Sequence, residues 1–380
     1  MHMKIGIVCY PTFGGSGVVA TELGMALANK GHEVHFITYN QPVRLDFISS
    51  GLHFHQVQIE EYPLFHYQPY ELALSSKMVD IVSRFKLEIL HVHYAIPHAY
   101  AAYMAKQMLK EKGIDVKVVT TLHGTDITLV GSHPSYKSAV EFSINNSDVV
   151  TAVSNNLKKQ TIESFGIQKE IEVIYNFIEL EKYPEVLHEE CQRISIAAPE
   201  ERILTHISNF RPVKRTRDVI EIFSEVQKKL PSKLLLVGDG PELSIAKNRA
   251  KDLGVYEKVL FLGNSVELEK ILCYTDLFLL PSETESFGLA ALEAMAAKSA
   301  VVSTNSGGLP EVNVHGLTGF LSAVGDVQDM AKNALFILED SERLQQFKEA
   351  AYQHARKFSL QEILPYYEKI YKDLDAIRDK

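Results

Sequence analysis

The sequence predicts an α/β protein built from two doubly wound, Rossmann-like domains facing a cleft. Three observations carry that expectation. Short β-rich runs alternate with longer helical patterns along the whole chain, as βαβ units with parallel sheets require. The series of strands lapses once, between about Asn176 and Pro199, where Pro and Glu become frequent. At 380 residues the chain is also too long for one typical hydrophobic core.

In the first half the strand candidates are Ile5–Cys9, Val34–Thr38, His53–Val57, Ile89–His93, Val116–Leu122, Val149–Val153 and Ile171–Ile174. Helical periodicity fills the intervals, for example Val18–Lys30, closed by Gly31, and Ser75–Arg84. A second series follows with Ile203–Ile207, Lys233–Val237, Val259–Leu262, Leu277–Leu280 and Ala300–Ser303. The expected domains are therefore residues 1–178 and 179–358. Residues 359–380 read as a Tyr-rich amphipathic helix that packs back towards the first domain.

Composition narrows the function classes. With 46% hydrophobic and 23% charged residues the chain has the make-up of a soluble globular protein. Its net charge of −9 argues against nucleic acid or an anionic lipid surface as a partner, so any anionic ligand must meet a local cluster of cations. Cys9, Cys191 and Cys273 are scattered and fit neither metal-ligand nor redox spacing, which suits thiols in a reducing cytoplasm. Pro11 and Gly14 interrupt the apolar N-terminal run where a signal peptide would continue, and no stretch reaches the length of a membrane span. A cytoplasmic protein without membrane insertion is expected, and a homo-oligomer is compatible with the sequence.

The motifs fall at strand-to-helix turns, where doubly wound sheets bind ligands. Gly14-Gly15-Ser16-Gly17 follows the first strand and opens a helix whose N-terminus favours an anion. Gly15–Ala20 also fits the dinucleotide fingerprint, so a nicotinamide-dependent dehydrogenase is a rival. The second strand runs into Tyr39-Asn40-Gln41, however, without the acidic ribose anchor. The first strand of the second half leads into Arg211 and Lys214, a fork and a point charge suited to phosphate oxygens. Gly238 lies in a Gly-Asp-Gly-Pro turn, and Leu262 ends another strand where backbone groups reach a base edge.

His123 stands at a strand end beside Gly124. His91, His93 and His98 surround Tyr94, but His91 and His93 share one strand face without a clear carboxylate partner. No metal site or obligatory cofactor is expected, since a convincing carboxylate pair for Mg²⁺ is also lacking. The most informative segment is Glu285-Ser-Phe-Gly-Leu-Ala-Ala-Leu-Glu293. Carboxylates accept in bidentate fashion from vicinal hydroxyls. With a helix starting near Phe287, Glu293 lies roughly 9 Å along the axis, about the reach of a sugar nucleotide. The amides of Phe287, Gly288 and Leu289 then meet its diphosphate. Surface glutamates on an amphipathic helix are the plain alternative.

As a set, in order and spacing, the Gly-Gly loop, His-Gly turn, Arg-x-x-Lys pair, Gly-Asp-Gly-Pro turn and Glu-x7-Glu resemble the retaining glycosyltransferases of family four over nearly the whole chain. That resemblance implies the GT-B fold and a UDP-sugar donor. The segments His91–His98, His123–Thr128 and Ser208–Lys214 look like members that join N-acetylglucosamine, from UDP-N-acetylglucosamine, to L-malate in bacillithiol biosynthesis. The implied roles are Arg211, Lys214, Glu285 and His123 in catalysis; Gly14, Gly15, Gly238, Leu262, Phe287, Gly288, Leu289 and Glu293 on the donor; and Ser16, Tyr94, Thr121 and Asn176 on the acceptor. Ile174-Tyr175-Asn176-Phe177 departs from the Pro-Asn-Gly common in relatives, which implies a stiffer interdomain hinge. Transfer to another small acceptor, a GT-B epimerase acting on the same sugar nucleotide, and a lipid mannosyltransferase are the neighbouring readings; the last usually needs a basic and apolar membrane face.

Overall fold

The computed structural model describes residues 2–12, 14–45, 50–59, 66–183, 193–265 and 267–378, so Cys191 lies outside the described residues. The chain forms two compact units, Met1–Asn176 with Ile363–Lys380, and Phe177–Glu362. The division falls just before Ile178 because that residue pairs within the second unit: its N–H donates to the Phe358 carbonyl and its own carbonyl accepts from Leu360 N–H.

Unit 1 contains seven parallel strands: β1 (Lys4–Val8), β2 (Glu33–Thr38), β3 (Leu52–Gln56), β4 (Ile89–His93), β5 (Lys117–Leu122), β6 (Val149–Ala152) and β7 (Ile171–Val173). Their order is β3-β2-β1-β4-β5-β6-β7. Unit 2 has β8 (Arg202–Ile207), β9 (Ser232–Val237), β10 (Val259–Gly263), β11 (Leu277–Leu280), β12 (Ala300–Thr304) and β13 (Gly319–Ser322), in the order β10-β9-β8-β11-β12-β13. Every strand expected from the sequence is present, with its ends displaced by no more than one residue. β13 was not expected: four residues led by a glycine at the sheet edge give too little periodicity to register.

Helices cover both faces of each sheet, which is why central strands such as β4 are buried at every position. In unit 1, Leu74, Met78 and Val82 of the helix Tyr70–Phe85 pack with Ile37, Leu90 and Leu109. In unit 2, Phe223 of the helix Thr216–Gln227 and Met330 and Leu338 of Val327–Leu338 enclose Leu236 and Leu279. Burying each such side chain is worth about 1.5–3 kcal/mol. The last helix, Leu360–Arg378, places Ile363, Tyr367, Ile370, Tyr371 and Leu374 on one buried stripe at helical spacing. Among the described residues no helix is long and apolar enough to cross a membrane.

Candidate active site

Each sheet has one point where the strand order reverses, between β1 and β4 in unit 1 and between β8 and β11 in unit 2. Loops leaving the carboxyl ends of such neighbours run to opposite faces and open a crevice for ligands. In both units a side-chain pair spans that reversal.

In unit 1 the loop after β1 enters the helix Gly15–Asn29, with Gly14 as its cap in extended conformation. The helix starts three residues earlier than the apolar pattern shows, because its first turn is Gly, Ser and Gly. A Cβ on Gly17 would lie 2.5 Å from the Tyr10 carbonyl oxygen and 2.6 Å from that of Thr12, so this glycine serves close backbone approach. One turn residue, Ser16, reaches across to the segment after β4: Ser16 Oγ and Tyr94 Oη hydrogen-bond at 2.8 Å. Tyr94 has a φ of 87°, a conformation costly for a bulky residue. Its N–H donates to the Thr121 carbonyl on β5 at 2.9 Å, and its ring lies 5.3 Å from that of His123.

Asp126, which the sequence reading did not single out, ties these turns together. Its Oδ2 accepts from Ala95 N–H at 2.8 Å and its Oδ1 from Gly124 N–H at 3.0 Å. Burial pushes its carboxyl up to about 6. The bond to Gly124 runs two residues back along the chain, whereas an Asx turn runs two residues on, so the sequence carried no turn signal for it.

The histidines form a buried stack. His91 and His93 lie 4.6 Å apart, and His93 Nδ1 hydrogen-bonds His123 Nε2 at 2.8 Å. Burial lowers His91 and His123 to about 3 and His98 to about 4, and holds His93 well below its ordinary value, so all four are neutral at pH 7. Both nitrogens of His91 are engaged, Nδ1 with Tyr371 Oη and Nε2 with Thr121 Oγ1, each at 2.7 Å. Thr121 Oγ1 also meets Thr151 Oγ1 at 2.8 Å. The Thr121 side chain is thus committed to the interior, whereas its carbonyl positions Tyr94. Asn176 is buried, and its Oδ1 has no hydrogen-bond partner.

In unit 2 the segment after β8 carries exposed Arg211 and partly buried Lys214. It is fixed from behind by His206, whose pKa burial lowers to about 4. As a neutral ring it donates from Nδ1 to the Leu279 carbonyl at 2.9 Å and accepts at Nε2 from Ser208 Oγ at 2.8 Å. Ser208 Oγ in turn accepts from Phe210 N–H. Across the strand reversal, Lys214 Nζ donates to Glu285 Oε1 at 2.5 Å, and Ser282 Oγ donates to the same oxygen at 2.9 Å. Gly308 N–H donates to the Glu285 carbonyl at 2.8 Å. A Cβ on Gly307 would fall 2.0 Å from that carbonyl oxygen at a φ of 62°, so only glycine fits beside Glu285.

The helix expected to start near Phe287 starts at Leu289, capped by Gly288 at a φ of 102°. Phe287 is buried against Phe358, with ring centroids 5.8 Å apart. Glu293 is thereby the fifth residue of the helix and is buried. Gly238 donates from N–H to the Gly263 carbonyl at 2.7 Å, next to half-exposed Leu262. The structure therefore unites Ser16, Tyr94 and His123 in unit 1, and Lys214 and Glu285 in unit 2.

Comparison with known proteins agrees with this architecture. Residues 13–182 match the model of Glycosyltransferase Family 4, and residues 188–354 that of Glycosyl transferases group 1. The N-acetyl-alpha-D-glucosaminyl L-malate synthase of Bacillus anthracis is 47% identical, over 100% of this chain and 98% of that protein. A glycosyltransferase from Rickettsia africae superposes with a TM-score of 0.80 at 21% identity, covering 98% of both chains. Anabaena HepE in complex with UDP and glucose does so with a TM-score of 0.81 at 20% identity, over 98% of this chain and 100% of that one. These neighbours share the GT-B fold. The chain belongs to the family 4 glycosyltransferases and is a sugar-transferring enzyme.

Proposed function

We propose that this enzyme moves N-acetylglucosamine from UDP-N-acetylglucosamine to the hydroxyl of L-malate, with retention at the anomeric carbon, in bacillithiol biosynthesis. The observation that carries this reading is the 47% identity with the Bacillus anthracis synthase across essentially both whole chains. The side chains at the two strand reversals are chemically suited to it. In unit 2, Glu293 holds the ribose, and Gly238 and Leu262 flank the base. The Gly288-capped helix start, with Phe287 and Leu289, meets the diphosphate. Arg211 and Lys214 neutralise the charge that develops on it, and Glu285 holds the hexose. In unit 1, Gly14 and Gly15 present backbone to the diphosphate, while Ser16, Tyr94 and Asn176 receive the acceptor carboxylates. Thr121 positions Tyr94, and neutral His123 contacts the hexose.

The acceptor oxygen forms a bond to the anomeric carbon as the bond to the diphosphate breaks. The acceptor proton passes to a departing phosphate oxygen on the same face. Electrostatic stabilisation of that leaving group is the main catalytic term. No residue is assigned as covalent nucleophile and no obligatory metal is invoked; the reaction takes place in the cytoplasm. A UDP-release assay with the donor alone, then with L-malate, D-malate and lactate, tests the reading. It requires release that depends on acceptor and is fastest with L-malate. Epimerisation of the donor without acceptor, or equal rates with lactate and L-malate, contradicts it.

A further inference from the structure

The edge of the first sheet carries a cluster of imidazoles that sugar transfer does not use. His35 on β2 lies opposite His53 on β3, with Glu33 two residues before the former and His55 two residues after the latter. Alternation along the strands puts all four on one face. One ligand atom from each of Glu33, His35 and His53 lies within 4.8 Å of the others, and among the described residues this is the group with such spacing. His35 Nε2 is 2.9 Å and His53 Nε2 4.0 Å from Glu33 Oε1. Lys4 Nζ holds the other carboxylate oxygen at 3.0 Å and so turns Oε1 towards the rings. His35 stacks on His53 at 4.5 Å, its Nδ1 meets His55 Nε2 at 2.8 Å, and Phe85 covers it at 4.6 Å.

We propose that Glu33, His35 and His53 bind one divalent transition metal of the zinc class, with His55 orienting His35. Two imidazoles and a carboxylate, leaving a fourth position for water, are a donor set that suits zinc. Tetrahedral bonds of about 2.0–2.1 Å place ligand atoms roughly 3.3 Å apart. The distances of 2.9 and 4.0 Å straddle that value, so small side-chain rotations complete the site.

Burial lowers both His35 and His55, the latter to about 4, so this hydrogen-bonded pair is neutral at pH 7. Without metal, His55 Nε2–H donates to His35 Nδ1, and His35 Nε2–H donates to Glu33. With metal, both rings change tautomer: the His35 proton moves from Nε2 to Nδ1 and is donated to His55 Nε2, the His55 proton moves to its own Nδ1, and His35 Nε2 offers its lone pair. No net proton is lost. A hydrogen bond from the second nitrogen is the usual device for aiming a ligating imidazole. Lys4, Lys77 and Arg84 raise the local positive potential, so affinity rests on Glu33 and the coordination bonds. Because β3 is an edge strand, the ion clamps it to β2.

The test uses untagged full-length protein freed of metal by dialysis against a chelator and titrated with Zn²⁺ against a chromophoric indicator. The proposal requires one equivalent bound and a higher melting temperature in its presence. His53→Ala, at a half-exposed position that tolerates truncation, should weaken this binding by ~10-fold or more, and Glu33→Gln likewise. The circular dichroism spectrum and the metal-free sugar-transfer rate of both variants should match those of the parent, which certifies the fold of both units. No zinc uptake by the parent, or unchanged affinity in folded His53→Ala, overturns the proposal.

Discussion

Lys214 Nζ and Glu285 Oε1 lie 2.5 Å apart across the β8–β11 reversal, so a cation assigned to the leaving diphosphate and a carboxylate assigned to the hexose hold each other in the free enzyme. Lys214→Ala and Arg211→Ala should each lower kcat by ~10²-fold, the scale of one lost electrostatic stabiliser. Lys214 and Glu285 act as one unit in this account. The double variant Lys214→Ala/Glu285→Ala should therefore cost less than the sum of the singles, with a coupling of about 0.5–3 kcal/mol. Strict additivity in kcat would show that the contact has no part in turnover.

Glu293 should govern nucleotide affinity and Glu285 should not. The structure buries Glu293 inside the helix that Gly288 caps, while Glu285 stays on the preceding loop. Calorimetry with UDP alone should show Glu293→Ala weakened and Glu285→Ala close to the parent. The reverse order would mean that the donor is oriented the other way.

The hydroxyls of Tyr94 and Ser16 bond each other, whereas the Thr121 hydroxyl bonds His91 and Thr151 in the interior. Tyr94→Phe should raise the L-malate KM and leave UDP affinity nearly intact. Thr121→Val should act on stability instead, by about 1–3 kcal/mol, because it leaves a buried His91 nitrogen unpaired. A malate-specific KM effect without loss of stability in Thr121→Val would return its side chain to the acceptor pocket.

Acid should destabilise unit 1. His91, His98 and His123 have folded values of about 3 to 4, below their ordinary 6.5. As pH falls from 6.5 towards 4 the unfolded chain takes up their protons and the folded one does not, so stability is lost. Asp126 works oppositely: its raised value of about 6 favours the folded state at low pH, and that contribution fades as pH rises through 6. Three histidines outweigh one aspartate in this window. Thermal melts should show the midpoint falling steadily between pH 6.5 and 4.5, and a flat or rising midpoint would contradict the neutral stack.

The strands were legible because helices bury both faces of each sheet, leaving apolar runs such as Leu234–Val237 of β9 and Leu277–Leu280 of β11 between polar turns. The positions of Arg211 and Lys214 after β8 and of Glu285 after β11 were legible because the apolar runs mark where those strands end. Contacts that depend on distant segments were not. Tyr371 reaches His91 from 280 positions away; the return of the last helix to the first domain was expected, but not which tyrosine meets which histidine. Ser282, Gly307 and His206 were passed over since they act through hydrogen bonds or a close approach that only the folded backbone defines. The start of the 289–296 helix was misplaced by two residues because an apolar Phe287 looks helical, while its neighbour Gly288 takes a left-handed conformation. Glu33, His35, His53 and His55 went unnoticed because their cluster exists only once β2 and β3 are in register.

The most direct measurement is NMR of the product formed from UDP-N-acetylglucosamine and L-malate by the purified enzyme. The expected product is a glycoside of the malate hydroxyl with the anomeric coupling of an α-linked N-acetylglucosamine, appearing in step with UDP. A β-linked product, an epimerised sugar nucleotide, or UDP released with malate left unmodified would contradict it.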